Sequence, residues 1–423
     1  MAGRAASRWA GPGAVLWTAL ILLLCLVPTG QTVPVGISLC LLCADRASAD
    51  FIRNAMLYLP LGIAVRRSTG SLGLTITLGV LLSLGIEVTQ FWIPGRFPAL
   101  SDLLANGFGT AAGGFLAGAL ASPPEALQRN VAFLGIGALG LLAFTAPGFL
   151  FVPTVPDGEL FGNWTPRIRG AEAYAGSLLS AELDGVPLPA RRAEDSARVR
   201  ALLEAGRPLA LQFEYLPPHS PAPLFRIPTA RRLEALRVSV DGEDLLVAEY
   251  LVADRLRLDR PTVRFSGAFT GLLSGDTIKL VVDRSGSGTP RASVEGGEPV
   301  VGGFPAARGW GLILSPGRLP RSVEAAGDLL WVAFILLAVS WAAPSPWRAL
   351  AASGGLLATL ALLPLFTPLL ATPAAHYLAA GVGLASGRGL RALPATRWWG
   401  DATGPREATS RDHMVDRRSG RLV

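Results

Sequence analysis

Long apolar runs separated by short polar loops occupy the two ends of the chain. Each run is about as long as a helix must be to cross a bilayer, for which about 20 mainly apolar residues suffice. The runs are residues 11–28, 51–65, 72–94, 103–121, 131–152 and 329–343, followed by an apolar region, 349–386, that contains Pro364, Pro368 and Pro373. Because that last region is too long for one span, we divide it in two. The pattern predicts an α-helical polytopic membrane protein with about eight spans.

The first run follows Arg4 and Arg8 and resembles the charged and apolar parts of a signal peptide. It lacks a small-x-small cleavage site, and further apolar runs follow it. We therefore interpret it as a first span that is retained.

The middle of the chain has a different pattern, with short apolar stretches between turn residues. Asp241-Gly242 is a favourable hairpin turn between two such stretches. The pattern predicts an all-β sandwich at residues 155–322. The other predicted units are a membrane domain of five spans at 11–152, three C-terminal spans at 329–386, and a basic, disordered tail at 388–423.

Basic residues in the short loops predict the orientation. With the N-terminus in the cytoplasm, the other short basic segments fall on the same side, as the positive-inside rule requires. These segments contain Arg66, Arg67, Arg129, Arg348, Arg388, Arg391 and Arg397. We expect a multi-pass plasma-membrane protein with both termini in the cytoplasm and residues 155–322 outside the cell.

Composition agrees with the membrane class and excludes several other classes. Of the 423 residues, 50% are hydrophobic and only 16% are charged, with a net charge of +7. Nearly all of the positive charge is arginine, since Lys279 is the sole lysine. The arginines are scattered and form no basic stripe with interleaved aromatic residues, so we expect no nucleic-acid partner.

Potential metal ligands are few and dispersed. Cys25 lies in the first span, and Cys40 and Cys43 form one CxxC in the loop after it. The CxxC is interpreted either as a disulfide or as two small buried residues. His219, His376 and His413 lie in three different regions. We therefore expect no metal site and no cofactor.

Polar side chains are concentrated near the outer ends of three predicted spans. Glu87 and Gln90 share a face of the third span, and Asp102 and Asn106 share a face of the fourth, with Arg96 in the turn between them. A charge at bilayer depth costs at least a few kcal/mol unless it is paired or hydrated. These side chains are therefore expected to converge.

The second span has polar residues at the same predicted depth, namely Asp50, Arg53, Asn54 and Tyr58. On the fourth span, Gly109-x-x-x-Gly113 and Gly114-x-x-x-Gly118 would let a neighbouring helix approach closely. We expect this approach to bring the polar residues of the spans together.

Three segments carry a resemblance to the VanZ-like family, named after a glycopeptide (teicoplanin) resistance protein. They are NAMLYLPLG at 54–62, GIEVTQFWIPGR at 85–96 and SDLLANGFGTAAGG at 101–114. The resemblance covers about residues 10–122 and implies that the positions most important to the domain are Asn54, Glu87, Gln90, Arg96, Asp102 and Asn106.

The predicted sandwich resembles concanavalin A-like (LamG-type) jelly rolls, through a hairpin-like segment at residues 279–300. Sandwiches of this kind often bind glycans, but a fold alone does not define a function. Trp164 and Trp310 are candidates either for stacking on sugars or for the core.

These patterns favour a cell-envelope protein with an outer-leaflet polar site for a lipid-linked or cell-wall glycan, in which Arg96 would hold an acidic group. The expected partners are membrane lipids and a cell-wall precursor or glycan; the oligomeric state stays open. A second interpretation is an enzyme that uses Glu87 or Asp102 as general base at a lipid headgroup. The same pattern also fits a membrane-anchored glycan sensor, or a purely structural ion-pair network of Glu87, Arg96 and Asp102. Transport is disfavoured because no polar residues continue into the inner halves of these spans.

Overall fold

The structure is a computed structural model that describes residues 10–28, 45–96, 98–121, 126–168, 171–284, 288–314 and 320–392. The CxxC of Cys40 and Cys43, the basic residues Arg4, Arg8 and Arg397, His413, and the predicted tail beyond residue 392 lie outside these ranges.

The described residues contain ten α-helices. They are α1 Ala10–Leu26, α2 Ala47–Thr69, α3 Leu72–Gln90, α4 Leu100–Ala121, α5 Ala126–Leu150, α6 Ser196–Glu204, α7 Val252–Arg255, α8 Arg321–Ala342, α9 Pro346–Leu362 and α10 Ala374–Ala392. The two short helices, α6 and α7, belong to the β-sheet region. The eight long helices coincide with the eight predicted spans, and the proline-containing region divides into α9 and α10.

Four described segments are long and apolar enough to cross a membrane, judged by length and composition: Leu72–Gln90, Leu127–Leu150, Arg321–Ala342 and Pro346–Leu365. The prediction of eight spans is therefore not supported by this criterion. The other long helices have identifiable deficits. The apolar part of α1 is short, α2 carries four charged residues, and α4 and α10 are rich in glycine and alanine.

Local sequence explains the tight turn between α2 and α3. Gly70 ends α2 with φ +70°, a left-handed conformation that glycine adopts without steric cost. The next residue, Ser71, caps the start of α3, and its hydroxyl accepts a hydrogen bond from the Leu74 backbone N–H at 3.3 Å. The arginines Arg66 and Arg67 lie in the last turn of α2.

Helices α2 and α4 pack backbone against backbone. A Cβ atom at Gly109 would overlap the carbonyl oxygen of Ala55, and one at Gly113 would overlap that of Leu59. From the other side, Gly62 of α2 lies directly against the backbone of α4. Of the glycines that the sequence offered for close approach, Gly109 and Gly113 are therefore used for it, whereas the nearest neighbours of Gly114 and Gly118 are side chains.

A separate β-sheet domain follows α5 and consists of two antiparallel sheets. Its strands are β1 Asn163–Trp164, β2 Leu178–Leu183, β3 Val186–Pro187, β4 Leu209–Glu214, β5 Ala222–Pro228, β6 Glu234–Asp241, β7 Asp244–Glu249, β8 Val263–Phe265, β9 Thr277–Arg284, β10 Pro290–Val294 and β11 Val300–Val301. The five-stranded sheet has the order β1-β5-β6-β7-β8, and the six-stranded sheet has the order β11-β10-β9-β4-β2-β3. We call this domain the sandwich.

Apolar residues of both sheets form the core of the sandwich, and in the six-stranded sheet they alternate with more exposed residues. Strand β4, for example, buries Leu209, Leu211 and Phe213, while Gln212 faces solvent. The predicted Asp241-Gly242 turn connects β6 to β7, and Gly242 has φ +59°. These features confirm a separate β-sheet domain with two antiparallel sheets, to which the two short helices are added; the concanavalin A-like type stays a prediction.

The sandwich contacts one end of the helical region. After α5, the Val152 carbonyl accepts a hydrogen bond from the Val252 backbone N–H at 2.9 Å. A 3₁₀ helix, Ala306–Leu312, packs against α5 and α8, and its Arg308 Nε lies 2.7 Å from Asp328 Oδ1 on α8. The start of α2 joins this contact, since the Ala49 N–H donates to the Arg257 carbonyl at 3.3 Å. We call these helix ends the sandwich side.

The long helices pack in two groups. Helices α1 to α4 pack against one another around Ile21, Tyr58, Leu61 and Ile86. Helix α5 packs mainly against α8 and α9, and α8 packs closely against α10. Two of the three C-terminal helices, α8 and α9, therefore pack against the last of the five N-terminal ones.

Candidate functional site: a buried polar cluster

The predicted polar residues converge on the sandwich side of α2, α3 and α4. We use the term polar cluster for Asn54, Tyr58, Ser83, Glu87, Gln90, Asp102 and Asn106. Five of its members, Tyr58, Ser83, Glu87, Gln90 and Asn106, are at most 7% exposed. Charged and amide side chains are seldom this buried unless their polar atoms have hydrogen-bond partners. The partner of each side chain therefore indicates its role.

The Glu87 carboxylate binds the beginning of α4. Its Oε2 accepts a hydrogen bond from the backbone N–H of Ala99 at 2.8 Å, and α4 begins at the next residue. The first N–H groups of a helix have no partners within it, and the helix dipole makes this end favourable for a negative charge. Glu87 thus fixes the turn between α3 and α4.

Arg96 and Gln90 bind the C-terminal end of α1. Arg96 donates from Nε to the Val27 carbonyl at 3.0 Å and from Nη2 to the Leu24 carbonyl at 2.8 Å. Gln90 Nε2 donates to the Cys25 carbonyl at 3.2 Å. These carbonyls lie where a helix leaves its last acceptors unused and where a cation is favoured.

The expected ion-pair network of Glu87, Arg96 and Asp102 is not formed. Within the described parts of the chain, no ion pair joins any two of these residues, because Arg96 is directed to α1 and Glu87 to α4. The half-buried Asp102 instead accepts a hydrogen bond from Ser101 Oγ at 3.3 Å and lies within hydrogen-bonding reach of the Asn54 side chain.

A second level of the cluster lies deeper among the helices. Asn106 Nδ2 donates to Ser83 Oγ at 2.9 Å, and both residues are buried. The Tyr58 hydroxyl and Asn106 Oδ1 are also buried, and neither has a hydrogen-bond partner among the described residues. A buried polar group without a partner costs about 1–3 kcal/mol. This level therefore has unused capacity to bind a polar group.

Sequence reasoning omitted several buried hydroxyl groups of the same helices. Ser83 lies four residues before Glu87, a spacing that places both on one face of α3 and could have revealed it. Thr110 and Thr75 are also fully buried, so polar residues do continue beyond the predicted site. Their hydroxyls donate to the Asn106 and Ser71 carbonyls at 2.8 and 2.7 Å, and they are thereby satisfied by their own helices.

Arg53, which the sequence grouped with these residues, makes different contacts. It forms ion pairs with Asp50 and with Asp259 of the sandwich, the latter at 3.0 Å. Arg53 therefore connects the cluster end of α2 to the sandwich. Its partner Asp259 was not identified from the sequence.

The two candidate tryptophans of the sandwich have different surroundings. Trp310 Nε1 donates to Asp328 Oδ1 at 2.7 Å, and the Arg308 guanidinium lies 5.6 Å from the centre of its ring, so this residue belongs to the contact with α8. Trp164 lines a groove of about 580 Å³ together with β2 and β3. Its Nε1 donates to the Leu188 carbonyl at 2.9 Å.

Apolar helices around a buried polar cluster, joined to two antiparallel sheets, define a membrane protein with a separate β-sheet domain. Residues 15–121 match the family model described as VanZ/LLP1, and this part of the chain is a VanZ-like domain. The matched range contains every residue of the polar cluster. No curated protein and no solved structure matches the chain.

Proposed function

We propose that the protein is a cell-envelope protein whose polar cluster binds the polar head of an amphipathic cell-wall precursor or lipid-linked glycan. The observation that carries this proposal is the pair of buried, unpartnered atoms, Tyr58 Oη and Asn106 Oδ1. A hydroxyl or amide group of a ligand would give both a hydrogen bond and remove the cost of their burial. The Asp102 carboxylate, which is half-buried nearer the helix ends, would contact the same head group.

The proposal includes the topology expected from the loop charges. Helices α1, α2, α4 and α10 cross the membrane with the four more apolar helices, because α2 and α4 pack against α3, and α10 packs against α8. Both termini then lie in the cytoplasm, and the sandwich lies outside the cell beside the outer ends of the helices. This arrangement brings the polar cluster to the outer leaflet.

In the same proposal the sandwich binds carbohydrate through the groove lined by Trp164. Aromatic faces suit the apolar faces of sugars, and the groove also contains polar and charged side chains from Glu182 and Arg191. A protein that holds a cell-wall precursor in the membrane and its glycan outside would hinder glycopeptide binding to that precursor. Such hindrance would link the protein to the resistance for which the VanZ-like family is named.

The test is mass spectrometry of the lipids and glycolipids that co-purify with the full-length protein. Wild type is compared with Glu87→Gln and Tyr58→Phe, made in the same membranes. The matched control is Thr89→Val, since Thr89 is an exposed residue of α3, the helix of Glu87, and its hydroxyl donates to the Gly85 carbonyl of that helix at 2.7 Å.

We expect one lipid-linked glycan species to be lost from the Glu87 and Tyr58 variants and retained by the Thr89 control. Identical lipid profiles in folded preparations of all four proteins would overturn the proposal. Loss of the same species from the control as well would also overturn it, since the effect would then not be specific to the cluster.

A further inference from the structure

A cavity of about 540 Å³ lies where the sandwich meets the start of α2. Its lining contains seven arginines against three acidic residues, a formal excess of four positive charges. The volume is within the range of pockets that hold small ligands. We call it the arginine pocket, and none of its residues belongs to the polar cluster.

Two of these arginines lie directly opposite each other in the five-stranded sheet. Arg226 on β5 pairs in register with Arg237 on β6. Like charges at directly opposed positions destabilise an antiparallel sheet. Within the described residues, Arg226 takes part in no ion pair, and its Nε is buried without a hydrogen-bond partner. An anion in the pocket would relieve this repulsion and give Arg226 a partner.

Two further arginines of the lining have an unusual backbone conformation. Arg232 has φ +64° and Arg257 has φ +55°, in the left-handed region that residues other than glycine seldom adopt. Both side chains are exposed, and neither forms an ion pair with a described residue. Strain of this kind in a structure motivates a search for function. Here it occurs at two positions around one cavity.

The pocket adjoins the point at which α2 begins. Its lining includes Asp45 and Arg46, and α2 starts at the next residue, Ala47. Arg46 also pairs with Asp259 at 2.9 Å, which holds this part of the rim against the sandwich. A ligand in the pocket would therefore lie beside the end of a helix of the VanZ-like domain.

We propose that the arginine pocket binds the phosphate-bearing headgroup of an anionic membrane lipid. Guanidinium groups bind phosphate oxygens through paired, charge-assisted hydrogen bonds, and several arginines together match the charge of such a headgroup. The position beside the helix ends favours a lipid over a free phosphate as the source of this group. Binding would fix the sandwich relative to the bilayer surface.

The test uses the purified full-length protein in a neutral detergent, with bound lipid counted by native mass spectrometry. The probes are phosphatidylglycerol, phosphatidylcholine and soluble pyrophosphate. Wild type is compared with the double variant Arg226→Gln/Arg232→Gln. The matched control, Arg198→Gln/Arg291→Gln, removes the same charge from exposed arginines of the sandwich that do not line this cavity.

We expect phosphatidylglycerol to bind wild type and control equally, and the Arg226/Arg232 variant at least ten-fold more weakly. Phosphatidylcholine, whose headgroup has no net charge, should bind poorly to all three. The single variant Arg257→Gln should also bind phosphatidylglycerol more weakly. Because Arg257 is exposed, this variant should fold normally, so it tests the pocket even if the double variant misfolds.

Two results would overturn the proposal. One is equal phosphatidylglycerol binding by all the variants. The other is pyrophosphate binding with the same dependence on Arg226 and Arg232 while the lipid does not bind, which would make the pocket a site for a soluble phosphate.

Discussion

Arg53 of the VanZ-like domain and Asp259 of the sandwich form an ion pair, with Nη1 and Oδ2 3.0 Å apart. Asp259 is completely buried, and its other carboxylate oxygen lies 2.9 Å from Arg46. Arg46 immediately precedes α2, and Arg53 lies in its second turn. The Asp259 carboxylate therefore links the sandwich to this part of the VanZ-like domain, next to both the polar cluster and the arginine pocket.

We expect Asp259→Asn to destabilise the contact between the sandwich and α2. The variant removes the charge that pairs with both arginines, and a hydrogen bond to a charged group contributes about 1.5–3 kcal/mol. Since Arg46 and Arg53 are partly exposed and water can replace part of the interaction, the free energy of unfolding should fall by about 2 kcal/mol. Denaturant unfolding of the purified protein measures this change.

The control for that variant is Asp184→Asn. Asp184 pairs with Arg207 at 2.9 Å, but both side chains are substantially exposed. Exposed pairs contribute about 0–1 kcal/mol, so this variant should lose much less stability. Equal losses in the two variants would contradict the structural role of Asp259.

Gly113→Ala should disturb the contact between α2 and α4. The added Cβ would overlap the Leu59 carbonyl oxygen, and forcing an extra carbon into a packed interface costs about 1–3 kcal/mol. At Gly85 of α3 an added Cβ meets no atom within 4 Å. Gly85→Ala should therefore stabilise the protein slightly, because alanine favours helix by up to about 1 kcal/mol. Thermal unfolding of the two variants in parallel tests this difference, and a loss at Gly85 comparable to that at Gly113 would contradict it.

The same glycines show what sequence periodicity can establish. Helical spacing identified Gly109 and Gly113 as a close-approach surface, and it placed Glu87, Gln90, Asp102 and Asn106 at one depth. Both inferences need only the period of an α-helix. The glycine contacts hold in the structure, whereas Asn106 lies at a deeper level than Glu87, Gln90 and Asp102. The number of apolar helices was less predictable, since polar and small residues lower the hydropathy of helices such as α2 and α4.

The partners of the charged side chains were not predictable from the sequence. Their opposite charges suggested that Arg96 pairs with Glu87 or Asp102, but the Arg96 guanidinium binds backbone carbonyls of α1. Every residue has a backbone carbonyl, so the sequence does not show which ones accept these hydrogen bonds. Arg53 and Asp259 are 206 residues apart, and only the docking of two domains brings them together. The role of the residues named for the site stays a prediction.

Arg96→Ala should loosen the attachment of α1. The variant removes two hydrogen bonds to the Leu24 and Val27 carbonyls, which flank Cys25, a half-buried thiol. We expect Cys25 to react several-fold faster with a maleimide, measured after Cys40 and Cys43 are replaced by serine. Arg129→Ala, which removes an exposed arginine from α5, serves as the control and should leave the rate unchanged. An unchanged rate in the Arg96 variant would show that these bonds do not hold α1.

Acid should weaken the contact between the sandwich and α8 through Asp244. Burial alone would raise the pKa of this carboxyl, but hydrogen bonds from the Gly267 N–H, Arg321 and Arg264 outweigh burial and hold its pKa below the ordinary value. Because the pKa of Asp244 is lower in the folded state than in the unfolded state, its ionised carboxylate stabilises the fold. This stabilisation is fully present above the unfolded pKa, about 3.9, and is lost as the pH falls through the pKa of the folded state.

The corresponding measurement compares wild type with Asp244→Asn at several pH values. The wild type should be the more stable at neutral pH, because Asp244 Oδ2 lies 2.7 Å from Arg264 Nη1 and 3.0 Å from Arg321 Nε. Below about pH 4 the difference in unfolding free energy should shrink. A difference that is independent of pH would mean that charge at Asp244 is not what stabilises the contact.

Tyr58→Phe distinguishes a purely structural polar cluster from a ligand site. The Tyr58 hydroxyl is buried and has no hydrogen-bond partner among the described residues, so its removal from lipid-stripped protein should leave stability unchanged or raise it by about 1 kcal/mol.

In a native lipid extract the wild type should be more stable than the Tyr58 variant. A ligand that bonds to the hydroxyl stabilises only the wild type, by an amount set by the ligand's concentration and affinity. Thermal unfolding in both preparations measures the reversal. Tyr377→Phe on α10, outside the cluster, should show none. If the Tyr58 variant keeps the same order relative to wild type in both preparations, the extract contains no ligand that depends on this hydroxyl, and the deeper level of the cluster is structural.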